Sequence, residues 1–205
     1  MARTPLHATL TELLAALRSV TWHAWTKHWK TTGSDFYSDH LLFQRVYSGD
    51  GGGPNIEAQT DGLGERMVAL YGPSGVDEIE VQELVLKHLK SIRNQDPIQG
   101  ALSLETQILN LGAKAAKLTT HLPPQYSIGL DNFIRELVDA RSTVVYLLQQ
   151  RLSQSPNPNS YGEALGANPL INDGFKLLAV GIGIAGLVVL LRKPEQKKVE
   201  MWGTS

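Results

Sequence analysis

The chain has no cysteine among its 205 residues. This absence excludes disulfides, thiolate nucleophiles, zinc fingers and iron–sulfur clusters, and it leaves histidine and carboxylate side chains as the strong metal ligands. It carries no information about the redox state of the compartment. The first thirty residues also lack a long apolar run, so we expect no signal peptide and a cytoplasmic main domain.

Basic residues are scarce in the larger part of the chain. Residues 1–173 hold 14 Lys and Arg against 18 Asp and Glu, whereas residues 174–205 hold five against two. Affinity for nucleic acids depends largely on clustered Lys and Arg that neutralise phosphates. The mildly acidic body therefore predicts that the protein does not bind DNA.

No segment alternates apolar and polar residues in the way of a half-buried strand. Helical spacing of apolar residues instead marks long segments near residues 5–30, 36–71, 104–118 and 130–152, with a shorter one near residues 80–91. A run of three glycines and a proline, within residues 49–54, interrupts the second segment. We predict an all-α four-helix bundle with a short extra helix between helices 2 and 3.

The composition changes after residue 153. Residues 154–174 are rich in Ser, Pro, Asn and Gly, which is typical of a flexible linker between a domain at residues 1–153 and a tail at residues 175–205. Residues 177–191 carry no charge and have basic neighbours. We predict a C-terminal hydrophobic, transmembrane helix with membrane association through residues 175–192, although it is shorter than the usual span of ~20 residues. The alternatives are a docking peptide or a helix buried in protein.

Two histidines lie on either side of a predicted turn. His28 is at the end of the first predicted helix and His40 is about one turn into the next, so both imidazoles can point into one corner and hold a first-row metal. The plainer interpretation is that each packs at the end of the bundle. Asp61 and Glu65, four residues apart, share one helical face. Alone they are typical of a solvated face, but with the histidines they complete a nitrogen and oxygen ligand set for iron.

The spacing of the two pairs limits how they can meet. If residues 40–61 were one helix, His40 and Asp61 would be about 31 Å apart at ~1.5 Å per residue, too far to share a metal. Unless the glycine-rich run folds the chain back, the pairs must therefore meet across a two-fold interface between two copies of the chain.

Two stretches of the sequence resemble the Dps family, the mini-ferritins also known as DNA-binding proteins from starved cells. The first is the pattern HW-x3-G-x2-FY-x2-H, carried by His28, Trp29, Gly33, Phe36, Tyr37 and His40. The second is D-x3-E-R, carried by Asp61, Glu65 and Arg66 and followed by Ala69, Leu70 and Gly72. The resemblance covers about residues 5–153.

The resemblance implies a dodecameric hollow shell of ferritin-like four-helix subunits. It further implies di-iron ferroxidase centres between two-fold-related subunits, with His28 and His40 from one subunit and Asp61 and Glu65 from its neighbour. Ferrous iron would be oxidised there by hydrogen peroxide or dioxygen and stored as ferric mineral. Ferritins whose centre lies inside one bundle use Glu-x-x-His motifs, and this sequence contains none.

Four features depart from the family pattern, and one of them is the glycine-rich insertion at residues 49–54, which lengthens the spacing before Asp61. Gln44 stands four positions after the second histidine, where the family often has an acidic residue. Because an amide is a weaker ligand than a carboxylate, the sequence does not decide whether the second iron position is occupied. Thr32 stands where a lysine is common, and the lysine-rich N-terminus is missing. The competing hypothesis is a non-catalytic, membrane-tethered helical scaffold with a degenerate metal site.

Overall fold

The computed structural model describes residues 4–49 and 55–153, which are helical almost throughout. The helices are α1 (Pro5–Lys30), α2 (Phe36–Ser48), α3 (Ile56–Tyr71), α4 (Glu78–Ser91), α5 (Pro97–Thr119) and α6 (Pro124–Ser153). One turn of 3₁₀ helix, Pro73–Gly75, separates α3 from α4. These ranges contain no strand.

The starts of α1, α4 and α5 follow from their capping residues. Thr4 accepts a hydrogen bond from the backbone N–H of His7, and Asp77 accepts two from the first turn of α4. Asp96 likewise accepts from two backbone N–H groups of α5, whose first residue is Pro97. Such side chains satisfy N–H groups that have no partner within the helix, and proline at the first position loses no hydrogen bond.

The bundle is organised around α1 and the pair α5–α6. The α1 helix contacts α2, α3, α4 and α5, and its side chains at Leu10, Leu13, Leu17 and Val20 are fully buried. Contacts from Glu105 to Arg141 and from Thr119 to Asp131 show that α5 and α6 run antiparallel. The first, second and fourth long helices of the prediction correspond to α1, to α2 with α3, and to α6.

One ion pair lies entirely inside the bundle. The Arg141 guanidinium donates to both carboxylate oxygens of Glu105, at 2.9 Å for the Nε–Oε2 bond, and both side chains are fully buried. Complete burial raises the pKa of Glu105, and the guanidinium beside it opposes that rise. Arg141 Nη2 also donates to the carbonyl oxygen of Val46 at 3.1 Å, so this pair connects α5 and α6 to the end of α2.

The predicted all-α bundle with a short helix between helices 2 and 3 is confirmed, α4 being that helix. The third long helix begins at Pro97, earlier than its apolar period suggested, because the Asp96 cap fixes its start. No helix within the described ranges is long and apolar enough to cross a membrane. The predicted linker, hydrophobic helix and membrane association, at residues 154–205, lie outside the described residues.

Candidate metal half-sites

The corner between α1 and α2 brings the two predicted histidines together. His28 is in the last turn of α1, and His40 follows the tight connection in which Gly33 has a φ of 89°. This left-handed conformation favours glycine, which has no Cβ to clash. The two imidazole rings are stacked, with centroids 3.7 Å apart and planes 26° apart. The sequence prediction that both rings point into one corner is met by this geometry.

The two histidines are joined by reciprocal hydrogen bonds. Nδ1 of His28 lies 3.0 Å from the carbonyl oxygen of His40, and Nδ1 of His40 lies 3.1 Å from the carbonyl oxygen of His28. A carbonyl oxygen can only accept, so both Nδ1 atoms must carry the hydrogen. Each neutral ring then has its lone pair on Nε2. Bonds of this kind fix the tautomer and orientation of metal-binding histidines in proteins.

Aromatic side chains surround the histidine pair. The Tyr47 ring lies edge-on to His28 at 5.5 Å between centroids, and the Phe36 ring lies 5.1 Å from that of His40. Trp25 contacts Tyr47 at 5.9 Å and stacks on Trp29 at 6.4 Å. Burial raises the pKa of Tyr47 above its ordinary value. The histidines thus contact aromatic rings of α2, and Trp25 and Trp29 of α1 extend this aromatic cluster.

The two predicted carboxylates occupy the outer face of α3. Asp61 and Glu65 are both exposed. Arg66, which follows Glu65, is directed to the other side of the helix: its guanidinium lies 4.1 Å from the centre of the Phe133 ring, and its Nη1 donates to the Gly62 carbonyl at 2.9 Å. The nearest cation in sequence therefore packs against α6 and leaves the carboxylates open to solvent.

A cleft of about 720 Å³ lies between α1, α3 and α4, and Asp61 is on its rim. Trp22, Trp25 and Leu86 contribute to its apolar wall. Trp22 is 52% exposed and Leu86 is 53% exposed, which is high for large apolar side chains. An open apolar face beside a polar ligand candidate is typical of an interaction surface.

The structure does not unite the two predicted pairs within one chain. Among residues 4–49 and 55–153, no three or more His, Asp or Glu side chains are close enough to hold one metal ion. Gln44, on the exposed side of α2, adds an amide near the histidine corner and no carboxylate. The two predicted pairs therefore lie apart in one chain, the histidines at the α1–α2 corner and the carboxylates on α3.

Two other histidines, His23 and His88, lie in the core of the bundle. His23 is buried, and its Nε2 bonds to the Pro97 carbonyl at 2.8 Å. His88 is buried between Ser19 and Gln107, with a Glu12 oxygen 3.9 Å from its Nε2. Burial is the largest influence on both pKa values and lowers them. Both nitrogens of His88 have hydrogen-bond partners in the core, and His23 is held there through its Nε2.

Sequence reasoning missed Arg151, which forms ion pairs with Asp39 and Asp35 next to the histidine corner. No local sequence pattern predicts these ion pairs, because Arg151 is 112 residues from Asp39 in the sequence.

Comparison with known proteins supports the fold. The chain is similar to the X-ray structure of Dps from Thermosynechococcus elongatus, with a TM-score of 0.57, 20% identity, and coverage of 74% of this chain and 92% of that chain. It is also similar to DpsC from Streptomyces coelicolor, with a TM-score of 0.43, 18% identity, and coverage of 74% and 86%. No protein-family model and no curated protein matches the chain. The chain therefore has the ferritin-like fold of a Dps subunit.

Proposed function

We propose that the protein is a mini-ferritin of the Dps type that oxidises Fe(II) and stores the ferric product. The observation that carries the proposal is the reciprocal bonding of His28 and His40, which leaves both Nε2 lone pairs available at one corner of the bundle. Two imidazole nitrogens and two carboxylates are a ligand set that suits iron. Iron is the substrate of this reaction and the protein supplies the ligands.

The site would be completed by a second copy of the chain. One chain offers its nitrogen and oxygen ligands at separate places, and no described cluster is complete. A two-fold axis would place the histidines of one copy against Asp61 and Glu65 of the other and would generate two identical sites. The open apolar cleft beside Asp61 offers the surface on which such a copy would pack. A closed homo-oligomer, as the family resemblance implies, follows from this arrangement.

The reaction requires that the site bind Fe(II), that an oxidant remove one electron from each ion, and that the site release the Fe(III) product. Anionic oxygen ligands stabilise Fe(III) more than Fe(II), so Asp61 and Glu65 would favour the oxidised product, while the neutral imidazoles admit the Fe(II) ion. With hydrogen peroxide as oxidant, two Fe(II) each lose one electron, and peroxide takes both electrons and two protons to become two waters. With dioxygen as oxidant, the same ligands would serve.

The test is an anaerobic Fe(II) titration of the full chain followed by addition of oxidant. Replacing both histidines, in His28→Ala/His40→Ala, removes the nitrogen ligands and should lower Fe(II) affinity and the initial oxidation rate by well over ~10-fold. Helicity should persist, because the buried apolar faces of α1 and α2 are untouched. The matched control is His121→Ala, at an exposed residue in the turn after α5.

An initial oxidation rate in the double variant equal to that of the unmodified protein would contradict the proposal. If the protein with its natural sequence binds no Fe(II) at all, the competing hypothesis of a non-catalytic helical scaffold gains the support instead.

A further inference from the structure

Arg151, in the last turn of α6, holds the first turn of α2. Its Nε donates to Asp39 Oδ1 at 2.6 Å and its Nη2 donates to Asp39 Oδ2 at 3.3 Å. The same Nη2 lies 2.9 Å from Asp35 Oδ2. One guanidinium thus binds the residue that precedes α2 and the residue that precedes His40.

This contact differs from an ordinary surface ion pair. The side chains of Arg151 and Asp39 are 19% and 18% exposed, whereas Arg135, which pairs with Asp131 on the same helix, is 69% exposed. Exposed i, i+4 pairs contribute little to stability. A two-pronged arginine–carboxylate contact that is largely shielded from water fixes geometry more strongly. Its partners also belong to different helices, so it constrains tertiary structure.

The first turn of α2 has few other constraints. Its buried side chains begin at Leu42, and Phe36 and Tyr37 are both exposed. Asp35, the N-cap residue, makes no side-chain capping hydrogen bond. With little apolar burial at this end, the position of the turn depends on polar contacts. These are the reciprocal histidine bonds on the α1 side and Arg151 on the α6 side.

We propose that Arg151 is a positioning residue for the iron site: it fixes the first turn of α2 so that His40 keeps its register with His28. The role rests on the proposed function of the two histidines as iron ligands. Arg151 itself touches no iron in this scheme. Its loss would let the turn open, break the reciprocal bonds and free both rings to reorient.

The experiment compares Arg151→Met with the control Arg135→Met in the full chain. Arg151→Lys is the conservative variant, because lysine keeps the charge but loses the two-pronged contact. The first readout, in iron-free protein, is amide hydrogen exchange in peptides that cover residues 33–43. We expect exchange to rise by about 10-fold in Arg151→Met, to rise less in Arg151→Lys and to stay unchanged in Arg135→Met.

The second readout separates positioning from general stability. The KM for Fe(II) should rise by about 10-fold in Arg151→Met, as is typical when a partner that orients a ligand is lost. The value of kcat at saturating Fe(II) should change less, and the circular dichroism should be retained. The control should match the unmodified protein in both constants. Affinity for Zn(II), measured with the metal alone, should fall most in Arg151→Met, less in Arg151→Lys and not at all in Arg135→Met.

Two results would overturn the proposal: unchanged exchange at residues 33–43 in Arg151→Met, or raised exchange with unchanged affinity for Fe(II) and Zn(II). If the unmodified protein oxidises no iron, the proposed function fails. Hydrogen exchange then still decides whether Arg151 holds the turn, and Zn(II) affinity decides whether the turn orients the histidines. The two failures are therefore distinguishable.

Discussion

His28 and His40 each donate a ring hydrogen to the backbone carbonyl of the other, across 3.0 and 3.1 Å. The two bonds that fix the α1–α2 corner are therefore the same bonds that fix which nitrogen of each ring is free. Ring orientation is set by backbone atoms of both helices, so it depends on how the corner is built as well as on the histidines themselves.

Gln44 provides the first prediction. It lies on α2 four residues after His40, where an amide offers a neutral ligand and a carboxylate would offer a charged one. Gln44→Glu should increase the number of Fe(II) ions bound per chain, because iron prefers anionic oxygen to amide oxygen. Anaerobic calorimetric titration measures this number, with Gln125→Glu, at an exposed position on α6, as the control. An unchanged stoichiometry would show that residue 44 does not reach the metal.

Gly112 provides a prediction about packing. A Cβ at this position would lie 2.3 Å from Cγ2 of Val138, so α5 and α6 approach closely only because residue 112 has no side chain. Gly112→Val should lower the free energy of unfolding by about 1–3 kcal/mol through overpacking. Adding Val138→Ala should restore part of the loss.

The control for that pair is Gly129→Ala. Gly129 also lies in a helix, but an added Cβ would meet no atom within 4 Å. Alanine there should be neutral or stabilising by up to ~1 kcal/mol, since glycine is the poorer helix former. Thermal unfolding followed by circular dichroism compares the three. Equal losses at positions 112 and 129 would contradict the close-packing account.

His23 provides a prediction about pH. Burial, with a smaller contribution from Lys27, lowers the pKa of His23 below its ordinary value of 6.5, against the opposing effects of the Pro97 carbonyl and Asp96. The unfolded chain therefore binds this proton more readily than the folded chain does. The contribution of His23 to stability is complete above about pH 6.5 and is lost as the pH falls towards the folded-state pKa.

The corresponding variant is His23→Gln, which can still donate to the Pro97 carbonyl but does not titrate. Its melting temperature should depend less on pH between about 5 and 7 than that of the unmodified protein. His88, whose pKa is also lowered by burial, should keep part of the dependence. His121→Gln, at an exposed residue, should leave the slope unchanged. A slope in His23→Gln equal to that of the unmodified protein would refute the assignment.

The sequence predicts the local parts of this molecule well. The helical period, the glycine between His28 and His40 and the four-residue spacing of Asp61 and Glu65 are all local, and the helices and the histidine corner follow from them. Asp96 as a capping residue and Pro97 at the first helical position also indicate the start of α5, although the apolar period begins only at Leu104.

Contacts between distant residues were not predictable in this way. Arg151 and Asp39 belong to helices at opposite ends of the domain sequence, and the buried pair of Glu105 and Arg141 occupies positions where the period suggests apolar residues. Either arginine would be interpreted from the sequence as a solvated charge. The packing of α2 against α6 shows instead that Arg141 and Arg151 both bind α2, through the Val46 carbonyl and Asp35 respectively.

The central claim is that one chain supplies the histidines and another supplies the carboxylates. It is tested most directly by mixing two inactive variants, His28→Ala/His40→Ala and Asp61→Asn/Glu65→Gln, by refolding or co-expression. At an interface between unlike chains, one of the two shared sites has all of its ligands and the other has none. Random mixing should therefore restore about one quarter of the iron oxidation rate of the unmodified protein. A mixture that stays as inactive as its separate components would contradict the shared site.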